Sequence, residues 1–400
     1  MWLPFLQRLA RQAPGLLGAV WARVPGPVRD ALGPFVHPIA VGSRGGGQVL
    51  IVPLDAPPRQ FDVLLDGAAE GEVATTVASL AARGHRILPI PSHAPLADFA
   101  RRESIEDAIY VLRSEVTDER AAAARRLGFR LVPEALLGMV DVPGTAFPTL
   151  TIIVVTYKNR ALCETSLAAV RRNAVWPGLE ILVVDNGSSD GSAEMLKNLA
   201  REDSRVGVIS NTENLGFARA ANQGLRQAHG EFAVLLNDDT VVAPGWMSRL
   251  VRHLESDPRL GLVCPVTNEI GGDARVSASY TSLSEMEAFA AARGADHIGE
   301  LRPTETVALF CAAARRATFV SVGFLDERYE VGMFEDDDLS FALRLRGMDL
   351  GVAHDAFVHH VGHASFGRLS DAEYLAIWEA NRRRFETKWG RRWHPPRAPR

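Results

Sequence analysis

Residues 181–192 read Ile-Leu-Val-Val-Asp-Asn-Gly-Ser-Ser-Asp-Gly-Ser. An apolar run ends in a carboxylate, and a turn rich in Gly and Ser then opens a helix-like stretch. A short, continuous apolar run bounded by turn residues reads as a strand buried on both faces, as in a parallel sheet. Ligands of such sheets bind at the carboxyl ends of the strands, where Asp185 would sit and could accept hydrogen bonds from a base or a ribose. Asp, Ser and Gly are also ordinary turn and cap residues, so this stretch alone speaks for the fold before it speaks for function.

The same alternation continues on both sides. Thr151–Val155 is an apolar strand, followed by a helix over about 162–172. Downstream, the pattern gives a helix over 195–200, a strand over 206–209, a helix over 218–228 and a strand over 232–236. Upstream, strands are expected at 49–52, 63–65, 87–90, 108–112 and 129–132, with helices over 73–83 and 118–127. Strands alternating with helices predict parallel α/β sheets. Pro143-Gly144 to Pro148 marks a boundary. The chain therefore divides into an N-terminal segment and linker (1–47), a smaller Rossmann-like α/β domain (48–142) and a larger α/β domain (148–394). The smaller domain has no phosphate-binding Gly motif and is read as an accessory or docking domain.

With 400 residues, two domains are the natural expectation. Apolar content of 47% and charged content of 23% describe a globular chain. A net charge of −4 argues against a nucleic-acid partner. Cys163, Cys264 and Cys311 have no paired or CxxC spacing, which excludes a disulfide framework and a zinc ribbon and fits a reducing compartment. No apolar run is long enough to span a membrane. Met1–Val24 carries Trp2, Leu3, Phe5, Leu6, Leu9 and Trp21 with Arg8, Arg11 and Arg23. This spacing suits an amphipathic helix, broken by Pro14, that packs on protein or lies on a membrane surface. The expected location is the cytoplasm, with residues 1–24 as the candidate peripheral contact to the inner membrane face.

Three further motifs carry chemistry. Asn214-Leu215-Gly216-Phe217-Ala218-Arg219-Ala220-Ala221-Asn222 places Gly216 where a backbone can approach a ligand closely. Arg219 could face a phosphate and Asn222 could hydrogen-bond the strand ends; the plainer reading is a helix start with a solvated arginine. Asn237-Asp238-Asp239 ends the strand over 232–236, and a metal bridging two phosphates needs few protein carboxylates. Phe334-Glu335-Asp336-Asp337-Asp338-Leu339 packs four carboxylates together, which repel one another unless a cation or a proton is at hand.

Taken in order with IIVVTYKNR, GFLDERY and HHVGHASF, these motifs resemble the inverting family-two glycosyltransferases of the GT-A fold, over Thr151 to about Trp389. The resemblance implies a mixed sheet with helices on both faces. It places Asp185 on the nucleotide base, and Thr156 and Tyr157 in the loop flanking the nucleotide. Asn237 to Asp239 match the DxD motif, with Asp238 at its variable position and Asp239 as metal ligand. Glu335-Asp336 match the acidic pair, with Asp336 as general base. His360 matches a late histidine that completes the metal site, although His359 and His363 stand close by. A nucleotide-diphosphate sugar is the implied donor, Mg²⁺ or Mn²⁺ the implied cation, and a glycan or lipid-linked hydroxyl the implied acceptor. Rhamnosyl transfer to a surface glycan is one case, by analogy. The QxxRW signature of processive synthases is absent, which favours transfer of one or a few sugars. Two rival readings are a non-catalytic glycan-binding scaffold and a sugar-nucleotide pyrophosphorylase. The intact Asp185, Asp239 and Asp336 speak against the first. Thr156-Tyr157-Lys158-Asn159-Arg160, in place of a Gly-rich loop, speaks against the second.

Overall fold

The computed structural model describes residues 39–41, 48–50, most of 52–140, 147–362 and 370–395. Residues 1–24, most of the linker 25–47 and His363 lie outside the described residues. Inside the expected linker lies β1 (Ile39–Val41), which pairs antiparallel with β2 (Gln48–Leu50), a strand that overlaps the one expected at 49–52, as a two-stranded sheet.

The N-terminal unit runs β3 (Asp62–Asp66), α1 (Gly71–Ala82), β4 (Arg86–Ile90), α2 (Leu96–Arg102), β5 (Ala108–Leu112), α3 (Asp118–Arg126) and β6 (Arg130–Pro133). Its sheet is parallel in the order β4-β3-β5-β6. The sequence reading missed α2, whose seven residues are too few to display a helical period. At the carboxyl end of β3, Asp66 is held by Arg120 (Nε at 2.7 Å) and by the Tyr110 hydroxyl.

The second unit begins with β7 (Leu150–Thr156), α4 (Arg160–Asn173), β8 (Leu179–Asp185), α5 (Ser192–Glu202), β9 (Val206–Ser210), α6 (Phe217–Gln227) and β10 (Phe232–Asn237). It continues with β11 (Thr240–Val242), α7 (Trp246–Ser256), β12 (Leu260–Val266), α8 (Leu283–Asp296), β13 (Leu301–Pro303) and β14 (Cys311–Arg315). It closes with α9 (Arg316–Ser321), α10 (Glu335–Leu345), β15 (Asp349–His360) and α11 (Asp371–Trp389). Its sheet has nine strands in the order β11-β15-β12-β14-β10-β7-β8-β9, with β13 also on β15. Strands β9, β8, β7 and β10 are parallel, while β14 runs antiparallel to β10 and β12. This is the mixed sheet that the GT-A resemblance implies.

The winding locates the site. The chain moves outward from β7 to β8 to β9, then returns past β7 to form β10. Right-handed crossovers therefore put α4 and α5 on one face and α6 on the other. The direction reverses between β7 and β10, and that is where an open α/β sheet binds its ligand. Thr156 ends β7 and Asn237 ends β10 at this point. Residues Leu150–Val154 are all buried, as a doubly covered strand requires.

Candidate active site

Register lines up the expected nucleotide residues along one edge. Thr156 pairs with Asp185, Asp185 with Ser210, and Val155 with Asn237. Asp185 is buried, and its Oδ1 accepts the Ser188 N–H at 3.1 Å, so the turn reading holds at the same residue as the ligand reading. Tyr157 is half-buried beneath the Lys158 ammonium, which lies 5.2 Å from its ring. Asp238, expected at a variable position, is instead tied down. Its carboxylate accepts from the Thr156 hydroxyl at 2.6 Å and from the Asn159 amide at 3.1 Å. It locks β7 to β10 at their carboxyl ends.

Asn186 was quoted in the sequence motif without a role, and it turns out to be a hub. Its amide donates to Asn214 and to the Gly216 carbonyl, and its oxygen accepts from Asn211 and from the Leu215 N–H. It joins the two Gly-containing loops that precede α5 and α6. In the second loop the three expected residues all have partners within this chain. Gly216 is closely approached by backbone: at φ +81°, a Cβ would lie 1.5 Å from the Glu330 carbonyl oxygen. Arg219 lies on the exposed face of α6 and pairs with Glu327 at 3.4 Å. Asn222 is fully buried; its amide donates to Leu325 O and Glu327, and its oxygen accepts the Leu325 N–H. It holds the 325–327 turn, and both of its amide N–H groups are used there.

Asp239 and His360 face each other across the pairing of β11 with β15, in which Thr240 is opposite His360. Asp239 Oδ1 and His360 Nε2 are 3.2 Å apart, both buried, and neither makes a hydrogen bond of acceptable geometry among the described residues. His360 Nδ1 lies 2.7 Å from the Glu269 carbonyl, which fixes the proton there and leaves Nε2 with a lone pair in the neutral ring. Two ligand atoms at right angles around Mg²⁺ would be about 3.0 Å apart, given bonds of about 2.1 Å. The residues therefore fit a divalent cation. Burial works against a charged His360, but Asp239 and the Glu269 carbonyl outweigh it and raise its pKa. His359 points away, as alternation along a strand dictates. Its Nδ1 meets the Tyr280 hydroxyl at 2.6 Å, and burial, helped by His360, pushes its pKa down to about 3. The neighbouring histidines thus separate into a ligand candidate and a core residue.

The acidic run opens α10, where helix N–H groups favour negative charge. Burial raises the pKa of Glu335, Asp336 and Asp337, and the Asp336 charge raises its two neighbours further. Glu335 Oε2 is buried with no hydrogen-bond partner among the described residues. One short segment connects this helix to the Asp239–His360 pair. Thr306 donates to Asp337 at 3.3 Å, and the Val307 N–H donates to Ser340. Phe310 accepts the Asn237 N–H, and its ring stands 5.2 Å from that of His360. Four residue steps span at most about 14 Å, so the two acidic clusters share one neighbourhood.

Asp338 differs from its neighbours. It is buried and accepts from Lys388 (2.6 Å), Trp389 (2.7 Å) and Tyr329 (3.2 Å). Lys388 also reaches Asp326 at 2.8 Å. The closing helix α11 therefore pins α10 from behind. Burial opposes ionisation of Asp326, but Arg328 and Lys388 outweigh it and hold its pKa well below the usual range. Lys388→Met keeps the aliphatic stem and removes the cation. We expect a loss of about 3 kcal/mol at pH 7, the low end for a broken buried pair because Lys388 retains some solvent contact. A carboxylate with a depressed pKa stabilises the fold above its unfolded value and loses that contribution as pH falls. Denaturant titrations should therefore show the gap between wild type and variant narrowing below about pH 4.

Residues 151–319 match the family model described as Glycosyl transferase family 2. The chain carries a family 2 glycosyltransferase domain. The domain is 29% identical over 113 residues to an uncharacterized glycosyltransferase of Haemophilus influenzae, covering 28% of this chain and 35% of that one. It is 26% identical over 209 residues to the poly-beta-1,6-N-acetyl-D-glucosamine synthase of Staphylococcus aureus, covering 50% of this chain and 46% of that one. The chain spans less than half the length of these curated relatives. Among solved structures, the mannosyltransferase PcManGT from Pyrobaculum calidifontis, in complex with GDP-Man and Mn²⁺, is 23% identical, with a TM-score of 0.44 and coverage of 62% of this chain and 66% of that one. Among the described residues, no helix is long and apolar enough to cross a membrane.

Proposed function

We propose that this protein is an inverting, non-processive glycosyltransferase that uses a divalent cation to move a sugar from a nucleotide-diphosphate donor to a hydroxyl of a glycan or lipid-linked glycan. The observation that carries this reading is the Asp239–His360 pair, two buried ligand atoms with no other partner at the reversal point of the sheet. Asp185, Thr156 and Tyr157 would hold the nucleotide along the adjoining edge. When bound, Mg²⁺ or Mn²⁺ would offset the charge of the leaving diphosphate. Asp336 takes the proton of the acceptor hydroxyl as its oxygen attacks the anomeric carbon, the bond to the diphosphate breaks, and in-line attack inverts that centre. Burial raises the pKa of Asp336, which makes its carboxylate a stronger proton acceptor than an exposed one. Three buried free cysteines suit a reducing cytoplasmic setting, and residues 1–24 remain the candidate contact with the inner face of the membrane.

A thermal-shift panel of UDP-, dTDP- and GDP-sugars with and without Mn²⁺ tests the reading. A ligand at 100 times its Kd stabilises the native state by about 2.7 kcal/mol. We expect one nucleotide class to raise Tm only with Mn²⁺, and Asp239→Asn or His360→Ala to abolish that rise. No shift with any nucleotide would overturn the donor site.

A further inference from the structure

Helix α7 follows directly on β11, the strand that leaves the Asp239 turn. It lacks the usual means of starting. Its N-cap is Gly245 at φ +76°, which offers no side chain, and its first turn has no acidic residue. In a capping box, the carboxylate at the third helical position accepts the N–H of the N-cap residue. That position here is Ser248. The missing carboxylate comes from the other unit of the protein. Asp107, at the head of β5, accepts the Gly245 N–H at 2.9 Å through Oδ2 and the Ser248 hydroxyl through Oδ1. At the far end of α7, Arg130 of β6 reaches Glu255 in the last turn at 2.8 Å. The N-terminal unit thus sets an anion at the positive end of α7 and a cation at its negative end, each favourable to the helix dipole.

What α7 then holds is the strand of the metal pair. His253 meets Asp355 of β15 at 2.8 Å, Arg252 pairs with the same carboxylate, and the Gly299 N–H donates to it at 2.9 Å. Asp355 is 1% exposed, so this anchor cannot be exchanged for solvent. Five residues later β15 ends in His360, opposite Thr240 of β11. Both strands that present the candidate ligands are therefore attached to α7, β11 by chain continuity and β15 by Asp355.

We propose that the N-terminal α/β unit is a clamp on α7, and that Asp107 is a positioning residue for the Asp239–His360 pair. The inference rests on the metal reading given above for the role of that pair, but the grip on α7 stands apart from it.

Hydrogen exchange of the full chain, together with Mn²⁺ titration by electron paramagnetic resonance, tests the clamp. Asp107→Ala should speed exchange at least threefold in the first turn of α7 and at the β11–β15 edge (Thr240–Val242 and Val358–His360), and should raise the Mn²⁺ dissociation constant at least threefold. Arg130→Ala and Ser248→Ala should act in the same direction by less, and they carry the test if Asp107→Ala does not fold. Faster exchange confined to α7, with the β11–β15 edge and the Mn²⁺ constant unchanged, would reduce the unit to a structural support and overturn the proposal. Native protein that binds no Mn²⁺ would sink the metal reading alone; exchange at the β11–β15 edge would then decide the clamp.

Discussion

Asn in place of Asp336 should lower turnover by about 10²–10⁴-fold while leaving the fold intact, the range that a positioned general base contributes. This corresponds to roughly 3–5 kcal/mol of barrier. The substitution keeps volume and one acceptor, so the Asp337 N–H that Asp336 Oδ1 accepts at 2.9 Å retains a partner. The pH dependence has a definite sign. Burial raises the Asp336 pKa above the ordinary carboxylate range, and a base acts only when deprotonated. The wild-type kcat/KM should therefore climb with pH beyond that range before levelling, and the residual rate of Asp336→Asn should lose this limb. Glu335→Gln is the control. If it costs as much as Asp336→Asn and flattens the same limb, the base is misassigned. Far-UV circular dichroism and Tm of each variant separate lost chemistry from lost fold.

Ala at Gly216 should destabilise the protein by about 3 kcal/mol or more, enough to lower Tm by roughly 6 °C or beyond. Two causes add. The backbone sits at φ +81°, which side chains rarely adopt, and a Cβ would lie 1.5 Å from the Glu330 carbonyl oxygen. That carbonyl is backbone, so no rotamer change relieves the contact. Relief requires the 325–334 segment to move away from α6, breaking the Asn222 bonds to Leu325 and Glu327. The same segment leads into α10 and its four acidic residues, so activity should fall together with stability. Gly299→Ala is the matched comparison, since it has φ +70° with nothing within 4 Å of the added carbon. A Tm for Gly216→Ala equal to that of Gly299→Ala would show that the collision is absorbed.

The parallel half of the large sheet was legible because buried strands announce themselves. The expected strand at 181–184 lies inside β8, and the expected helix at 218–228 lies within one residue of α6 at each end. The approach of Asp239 to His360 was expected only through resemblance, since nothing in the spacing of residues 239 and 360 reveals that β11 pairs with β15. What escaped were bonds across long separations between polar residues of ordinary type. Asp238 looked variable because no local pattern reports that Thr156, 82 residues earlier, needs an acceptor. Lys388 escaped notice because its partners, Asp326 and Asp338, lie 62 and 50 residues earlier in the chain. At Gly216 and Asn222 the sequence does not report that the 325–330 segment of the same chain packs against them.

The adjacency of His359 and His360 has a consequence for how the protein can change. The two imidazoles differ in fate only because alternate residues of β15 face opposite ways. A slip of one residue toward the carboxyl end of this strand would bring His359 to the place of His360 beside Asp239 and put Val358 beside Tyr280. The register is irregular between Ala353 and Phe357, where the partner strand advances by a single residue. A one-residue insertion in this irregular stretch would thus keep a histidine opposite Asp239 while exchanging which one it is, whereas a deletion would put Val361 there. The doublet keeps a second imidazole one inserted residue away from Asp239.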